Sequence, residues 1–381
     1  MNLKKVFVLS AVLAAGAFLS GCGALSNAYN GLVSVAGLST TCTVIAKKAN
    51  IRTSYAVVAT DLLEVKRGDV LDVVDTVDFE RVVWYRVRAH DEDQTEGWME
   101  AQNVITSDVL EKSKKIAEED KDAQPQANGL LRNKTNLRLT PEQRDDNILV
   151  KLDTGSTFEI MSWKFVPKAE DPPDDTSKDD ANKPKKTKNA EIEAAKTNDE
   201  PEKMDEKYDI WYKVRLDPSV SPAPSGWIFG RQVELQVPTD IVFYQQNNNK
   251  FVTWQRIDGV DTSLKDDPKT PAKPSSWVIL SRTNEVKAIN GDEPDFDGVL
   301  LLGYDKYDQS HYRIYPLIGE VWGKLPLKIE GTSDNRTFTL RLRNKNSGQI
   351  EDKRFSVIFD KSRYKLKLPE DMANYEMKGG K

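Results

Sequence analysis

The chain has 381 residues with a formal net charge of −5, of which 38% are hydrophobic and 30% charged, enough for two or three domains with ordinary cores. The acidic balance excludes a general nucleic-acid binder, which needs Lys and Arg clustered in net excess. Two cysteines, Cys22 and Cys42, and two histidines, His90 and His311, give poor support for a disulfide framework, a Cys/His zinc cluster or a Ser-His-Asp triad.

At the start of the chain, Lys4 and Lys5 precede an apolar stretch from Val6 to Leu19. Its length of about 14 residues falls short of the roughly 20 that a membrane-spanning helix needs, so residues 1–21 read as a signal peptide. The stretch ends in Leu19-Ser20-Gly21-Cys22, which resembles the lipobox of bacterial lipoproteins. That resemblance implies cleavage before Cys22, a diacylglycerol on its sulfur and, because Gly23 rather than Asp follows, export to the outer membrane. The acyl chains would hold the protein on the membrane, since each buried methylene contributes about 0.8 kcal/mol. The small-residue segment 22–41 is expected to be the lipidated tether.

The sequence then repeats itself. Asn50-Ile51-Arg52 recurs as Asn136-Leu137-Arg138, Leu62 to Gly68 as Leu149 to Gly155, Trp84-Tyr85-Arg86-Val87-Arg88 as Trp211-Tyr212-Lys213-Val214-Arg215, and Gly97-Trp98 as Gly226-Trp227. After Gly68 the residues alternate, with Leu71 and Val73 around Asp72, and the second copy places Phe158 and Ile160 around Glu159. Period-two alternation marks half-buried antiparallel strands, and several short ones in about 60 residues make a small barrel. The order of blocks resembles the bacterial SH3 domain, with Lys66-Arg67-Gly68-Asp69 and Asp153-Thr154-Gly155-Ser156 at the turn before the alternating strand, and Gly97-Trp98-Met99 and Gly226-Trp227-Ile228 at the end. The two domains are expected over 42–106 and 129–236, joined at 107–128 by a linker or a short exposed helix, since Val109, Leu110 and Ile116 sit in Lys/Glu-rich sequence. The family's role is to bind cell-wall peptide or protein. Trp84, Trp98, Trp211 and Trp227 have the parity opposite to the inward strand residues, and they are the expected ligand-binding residues, packing across the barrel mouth being the alternative.

In the second copy a short turn is replaced by 169–207, a run of acids, lysines and prolines with few sizeable apolar residues, expected to be a disordered insertion. From 237 to 370, short β-rich runs with polar turns predict an antiparallel sandwich or barrel: Ile241 to Tyr244, Phe251 to Ile257, Trp277 to Leu280, Val299 to Tyr304, His311 to Tyr315, Thr337 to Leu342, Phe355 to Phe359 and Tyr364 to Leu368. Residues 371–381 are expected to be a flexible tail. The run Asp292-Glu293-Pro294-Asp295-Phe296-Asp297-Gly298 mimics the opening of a calcium loop, but Tyr304 stands where a bidentate Glu belongs, so it reads as an acidic turn. His311 has no second titratable partner at a recognisable spacing and reads as packed.

The fold expected is therefore mainly β: two small SH3-like barrels followed by an antiparallel β-sandwich or barrel module. The expected function is that of a lipid-anchored, non-catalytic binding or scaffold protein at the outer membrane, facing the periplasm, whose partners are the membrane and either peptidoglycan or an envelope protein. No catalytic residue, metal or cofactor is expected. The alternative is a cell-wall-acting envelope enzyme with catalysis in the third module.

Overall fold

A computed structural model describes residues 40–168, 208–245, 249–258, 274–332 and 335–377. The expected signal peptide, the lipid site Cys22, nearly all of the tether and the 169–207 insertion lie outside them. The chain divides into two compact units at Ser107.

The first unit holds seven strands, β1 (Thr40–Val44), β2 (Lys48–Arg52), β3 (Asp61–Lys66), β4 (Val70–Phe79), β5 (Val82–Ala89), β6 (Glu96–Glu100) and β7 (Val104–Thr106). They form one antiparallel sheet in the order β3-β2-β6-β5-β4-β1-β7. All seven contribute to one core, through Cys42, Val44, Ile51, Val65, Leu71, Val87, Ala89, Met99 and Val104. A flat sheet of seven strands would hold its edges about 29 Å apart, so β3 and β7 share that core because the sheet curls into a barrel. Thr40 and Thr41, expected in the tether, already pair with β4.

The second unit begins with a repeat of this architecture. Strands β8 (Ala127–Leu131), β9 (Thr135–Arg138), β10 (Ile148–Leu152), β11 (Thr157–Pro167), β12 (Tyr208–Arg215), β13 (Ser225–Phe229) and β14 (Val233–Leu235) adopt the order β10-β9-β13-β12-β11-β8-β14, which matches the first barrel strand for strand. Even the irregularities recur. The register shift between Val73 and Asp75 in the β4–β5 pair returns between Ile160 and Ser162 in β11–β12. Gly68 (φ 95°) and Gly155 (φ 81°) sit at equivalent turns, where a left-handed backbone explains the glycine in both sequence blocks.

The cores differ by a compensating exchange. Cys42 lies opposite Leu71, whereas Gly129 lies opposite Phe158 at the same positions of the second barrel. A Cβ on Gly129 would stand 2.4 Å from the Phe158 ring, so the larger side chain on one strand requires glycine on its neighbour. Cys42 is thus a small core residue, 1% exposed, and burial, aided by nearby Asp72, pushes its thiol up to about 12.

Of the two readings of the 107–128 joint, the structure has the helix. Helix α1 (Ser107–Glu119) presents Val109, Leu110, Ser113, Ile116 and Ala117 on one stripe, all buried or half-buried, while Glu111, Lys112, Lys114 and Lys115 face solvent. It packs on the second barrel rather than standing exposed: Ser113 Oγ donates to Ser225 O at 2.5 Å and accepts from Ser225 N at 3.1 Å.

The remainder is a sandwich of two four-stranded antiparallel sheets: β15 (Lys250–Arg256), β16 (Trp277–Arg282), β17 (Gly298–Asp305) and β18 (Ser310–Arg313) in one, and β19 (Gly323–Thr332), β20 (Asn335–Arg343), β21 (Ile350–Asp360) and β22 (Arg363–Lys367) in the other, each a meander in chain order. Both sheets feed one core, from Val252, Val278, Leu280, Val299 and Leu301 on one side and Leu327, Phe338, Leu340, Phe355 and Val357 on the other. Phe338 and Phe355 stack at 4.8 Å between centroids. Two expectations are corrected and one strand is added. Ile241 to Tyr244 is not a strand but a 3-10 turn, set by hydrogen bonds from Ile241 N and Val242 N back to Pro238 O. Strand β19 was hidden by Pro326, which speaks against a strand even though Leu325, Leu327 and Ile329 alternate. The segment after 370 is no free tail up to 377, because Met372 (7% exposed) and Tyr375 (0%) enter the sandwich core.

The second barrel and the sandwich are also one body, not two separate modules. The Gln126 carboxamide donates to Leu327 O (3.3 Å) and accepts from Leu327 N (2.8 Å), its backbone N–H donates to Ile160 O (2.7 Å), and its carbonyl accepts from Thr253 Oγ1. Trp163 of β11 packs against the sandwich core.

Candidate functional site

The Gly-Trp pairs owe their composition to strand crossing. A Cβ on Gly97 would lie 2.5 Å from Arg52 O and 2.7 Å from Ile51 Cγ2, and one on Gly226 would lie 2.7 Å from Leu137 Cγ and 2.9 Å from Arg138 O. Only glycine allows β6 and β13 to cross so closely over β2 and β9. The following tryptophan then points outward, with Trp98 opposite Arg86 on one side and Arg52 on the other, and Trp227 likewise between Lys213 and Arg138.

Around Trp98 the first barrel builds an aromatic cluster. The Arg52 guanidinium donates to Val57 O and Ala59 O, each at 3.1 Å, and pairs with Asp61 at 3.5 Å, which fixes the β2–β3 loop. Tyr55 of that loop meets Trp98 edge-on at 5.1 Å and Phe79 at 5.0 Å, and all three rings are half-buried. Val57 and Val58 project beside them at 86% and 96% exposure. Phe79 pairs with Val82 across a tight turn in which Glu80 (φ 53°) and Arg81 (φ 67°) both hold left-handed backbone, a conformation that costs non-glycine residues free energy.

Trp84 and Trp211, expected beside the groove, are buried at 7% and 2% exposure. Their parity is the outer one, but the 3-10 turns Ala101–Asn103 and Gly230–Gln232 fold back over that end of β5 and β12. Trp211 packs on Phe229 at 5.2 Å. These two are core residues and do not line a binding surface. Trp98 and Trp227 are half-buried. Tyr55, missed in the sequence, was detectable by comparing the copies, since the loop of the second barrel that replaces Ser54–Ala59 carries no aromatic residue; Phe79, also missed, ends β4 outside that loop.

In the second barrel the equivalent face is occupied. Lys213, at the position of Arg86, is 8% exposed and pairs with Glu119 at 2.6 Å and Asp120 at 2.7 Å. Its burial lowers the ammonium pKa, but hydrogen bonds and charge from Asp120 and Glu119 outweigh this and the net shift is upward. Arg215 donates to Asp120 O (2.6 Å) and Ala123 O (3.2 Å), so the end of α1 is held by two cations. Arg138 is held by Asn147 Oδ1 at 2.9 Å, and no aromatic ring lies within stacking range of Trp227 among the described residues. Arg86 and Arg88 of the first barrel meet Glu96 instead, at 2.6 and 2.9 Å, and remain 47% and 42% exposed.

In the sandwich, every acid of the 292–297 run has a protein partner. Glu293 pairs with Arg282 at 2.6 Å, Asp292 with Lys324 at 2.8 Å, Asp295 accepts from Leu325 N at 2.8 Å, and Asp297 accepts from Thr283 N (2.7 Å) and Thr283 Oγ1 (3.0 Å). Burial pushes the Asp295 carboxyl up. His311 Nε2 lies 2.9 Å from Ser275 O and 3.6 Å from Asp240 Oδ2, with Tyr304 packed on the ring at 5.2 Å. That Asp240 oxygen also accepts from Trp277 Nε1 at 2.9 Å, so the histidine belongs to a packed polar network. Among the described residues no group of three or more His, Cys, Asp and Glu is placed to hold a metal, and no helix is long and apolar enough to cross a membrane.

No family model and no curated protein matches the chain. Among solved structures, that of NlpC2 from Trichomonas vaginalis aligns with 73% of this chain and 95% of its own at 8% identity, with a TM-score of 0.15. An alignment that loose relates neither fold nor activity.

Proposed function

We propose that this chain is a lipid-anchored, non-catalytic binding or scaffold protein of the bacterial cell envelope. In this reading Cys22 carries the lipid at the outer membrane, the chain faces the periplasm, and SH3-like barrels serve recognition of peptidoglycan or an envelope protein. The observation that carries the binding role is the open cluster of Tyr55, Phe79 and Trp98 beside fully projecting Val57 and Val58. Half-buried aromatic rings give contact area at low entropic cost, and apolar side chains held in solvent gain most when a partner covers them. The first barrel is the recognition module, and the second is structural because α1 fills its corresponding face.

The test is retention on isolated cell-wall sacculi and recovery of crosslinked envelope proteins with Trp98→Ala and Tyr55→Ala. Each should weaken binding by about 5- to 150-fold, the equivalent of losing a stacked aromatic, with an unchanged melting curve. Unaltered binding by both variants would overturn the reading. The anchor is tested separately: Cys22→Ser should leave a precursor or a released protein, and a processed, membrane-bound Cys22→Ser variant would contradict it.

A further inference from the structure

The seam between the second barrel and the sandwich holds an open groove of about 470 Å³ that the binding role of the first barrel does not use. Its floor is the Pro125-Gln126 connection, made rigid by the Gln126 bonds to Leu327 and by Gln255 Nε2 donating to Pro125 O at 2.7 Å. Gln124, Gln236 and Asn128 are among its lining residues, together with Arg256 and Arg336. The chain carries more acids than bases, yet neither arginine has a carboxylate within ion-pair distance among the described residues. Arg256 instead lies over the Trp277 ring at 5.5 Å, and the Nε of Arg336 is buried with no hydrogen-bond partner. Asp258 is near enough to feel both charges, but its carboxylate accepts from Ser276 N at 2.9 Å.

Two guanidiniums with no ion-pair partner among the described residues border the groove, and the buried Nε–H of one meets no acceptor, a donor set that suits an oxyanion. The neighbouring carboxamides, each able to donate and accept, match a peptide backbone. The tryptophans decide against a sugar: Trp254 and Trp277 are 8% and 5% exposed, leaving too little ring face for a pyranose to stack on. We propose that this groove binds the carboxylate end of an extended peptide, with Arg256 and Arg336 holding the carboxylate and the Gln and Asn side chains pairing with the preceding backbone.

The experiment titrates the full chain with tetra-alanine, its C-terminal amide and glucuronic acid, following the Nε–Hε resonance of Arg336 and the heat of binding. Tetra-alanine should shift that resonance and bind at least about tenfold tighter than the amide, because charge-assisted hydrogen bonds are roughly twice as strong as neutral ones. Arg256→Gln and Arg336→Gln should each remove that preference, and Trp98→Ala should leave it intact, which separates this site from the first barrel. Equal binding of acid and amide, no binding of tetra-alanine, or tighter binding of glucuronic acid would overturn the proposal. The comparison of acid with amide uses the unaltered protein, so it decides the matter even where a variant fails to fold.

Discussion

The first barrel leaves its outer face open between Arg52, Trp98 and Arg86, while the second covers the same face with a helix, although the two share strand order, register shift, turn glycine and Gly-Trp pair. Where α1 lies, the cation is Lys213 and is nearly inaccessible; where no helix lies, it is Arg86, half-exposed and paired with Glu96. Only in the first barrel, among the described residues, does another aromatic ring, Tyr55, pack on the half-buried tryptophan, with Phe79 behind it. The chain therefore holds two copies of one scaffold, and the surroundings of each tryptophan leave a different surface exposed in each. Fold alone does not assign function, and here two copies in one chain differ in the site each presents.

The largest effects should come from the shared core. Val87→Asp and Val214→Asp each place a charge at a fully buried position and should cost more than about 4 kcal/mol. In calorimetry Val87→Asp should remove one transition, because the first barrel is its own unit, whereas Val214→Asp should bring down the sandwich with the second barrel. Trp84→Ala and Trp211→Ala should follow at about 3–5 kcal/mol, the usual cost of truncating a buried aromatic. Melting curves like that of the unaltered chain would make these two residues binding candidates again.

The core exchange is tested by Gly129→Cys. A Cβ at 2.4 Å from Phe158 forces repacking, at a cost of about 1–3 kcal/mol. Adding Phe158→Leu, which recreates the pair found in the first barrel, should restore most of it, and failure of the rescue in denaturant titrations would show that the exchange is not compensatory. Lys213→Ala should cost about 1–3 kcal/mol by freeing the end of α1, seen as faster amide exchange in the helix, while Arg86→Ala should stay within about 0.5 kcal/mol. Equal effects would dissolve the difference between covered and open faces.

A further effect concerns pH. The Cys42 thiol has a folded pKa raised from 9.0 to about 12, so its contribution is fully present below about pH 9 and is lost as pH rises through the folded value. Relative to Cys42→Ala, the unaltered protein should lose up to about 1.4 kcal/mol per pH unit between pH 9 and 11. The second barrel, with Gly129 at that position, has no counterpart. Parallel curves for the two proteins would mean that Cys42 ionises freely in the fold.

Much of this architecture was legible because strands write their period into the sequence: Leu71 and Val73 around Asp72, the two Trp-Tyr-x-Val-Arg blocks, and the turn glycines all mark their elements. Parity gave all four tryptophans the outer register, of which Trp98 and Trp227 are half-buried and Trp84 and Trp211 are buried. What it could not supply was the cover over that face, since the 3-10 turns that bury Trp84 and Trp211 follow the next strand and return through long-range packing. The stitching role of Gln126 was hidden for the same reason, its partners Leu327 and Thr253 being over a hundred residues away. The Tyr55–Phe79–Trp98 cluster joins three segments that no local pattern connects.

The claim that the first barrel recognises and the second supports is tested most directly by a photoreactive benzoylphenylalanine placed in cells at Trp98 and, separately, at Trp227. Illumination should give adducts with peptidoglycan or an envelope protein from position 98 and none from position 227. Adducts of equal yield from both positions, or from 227 alone, would contradict the account.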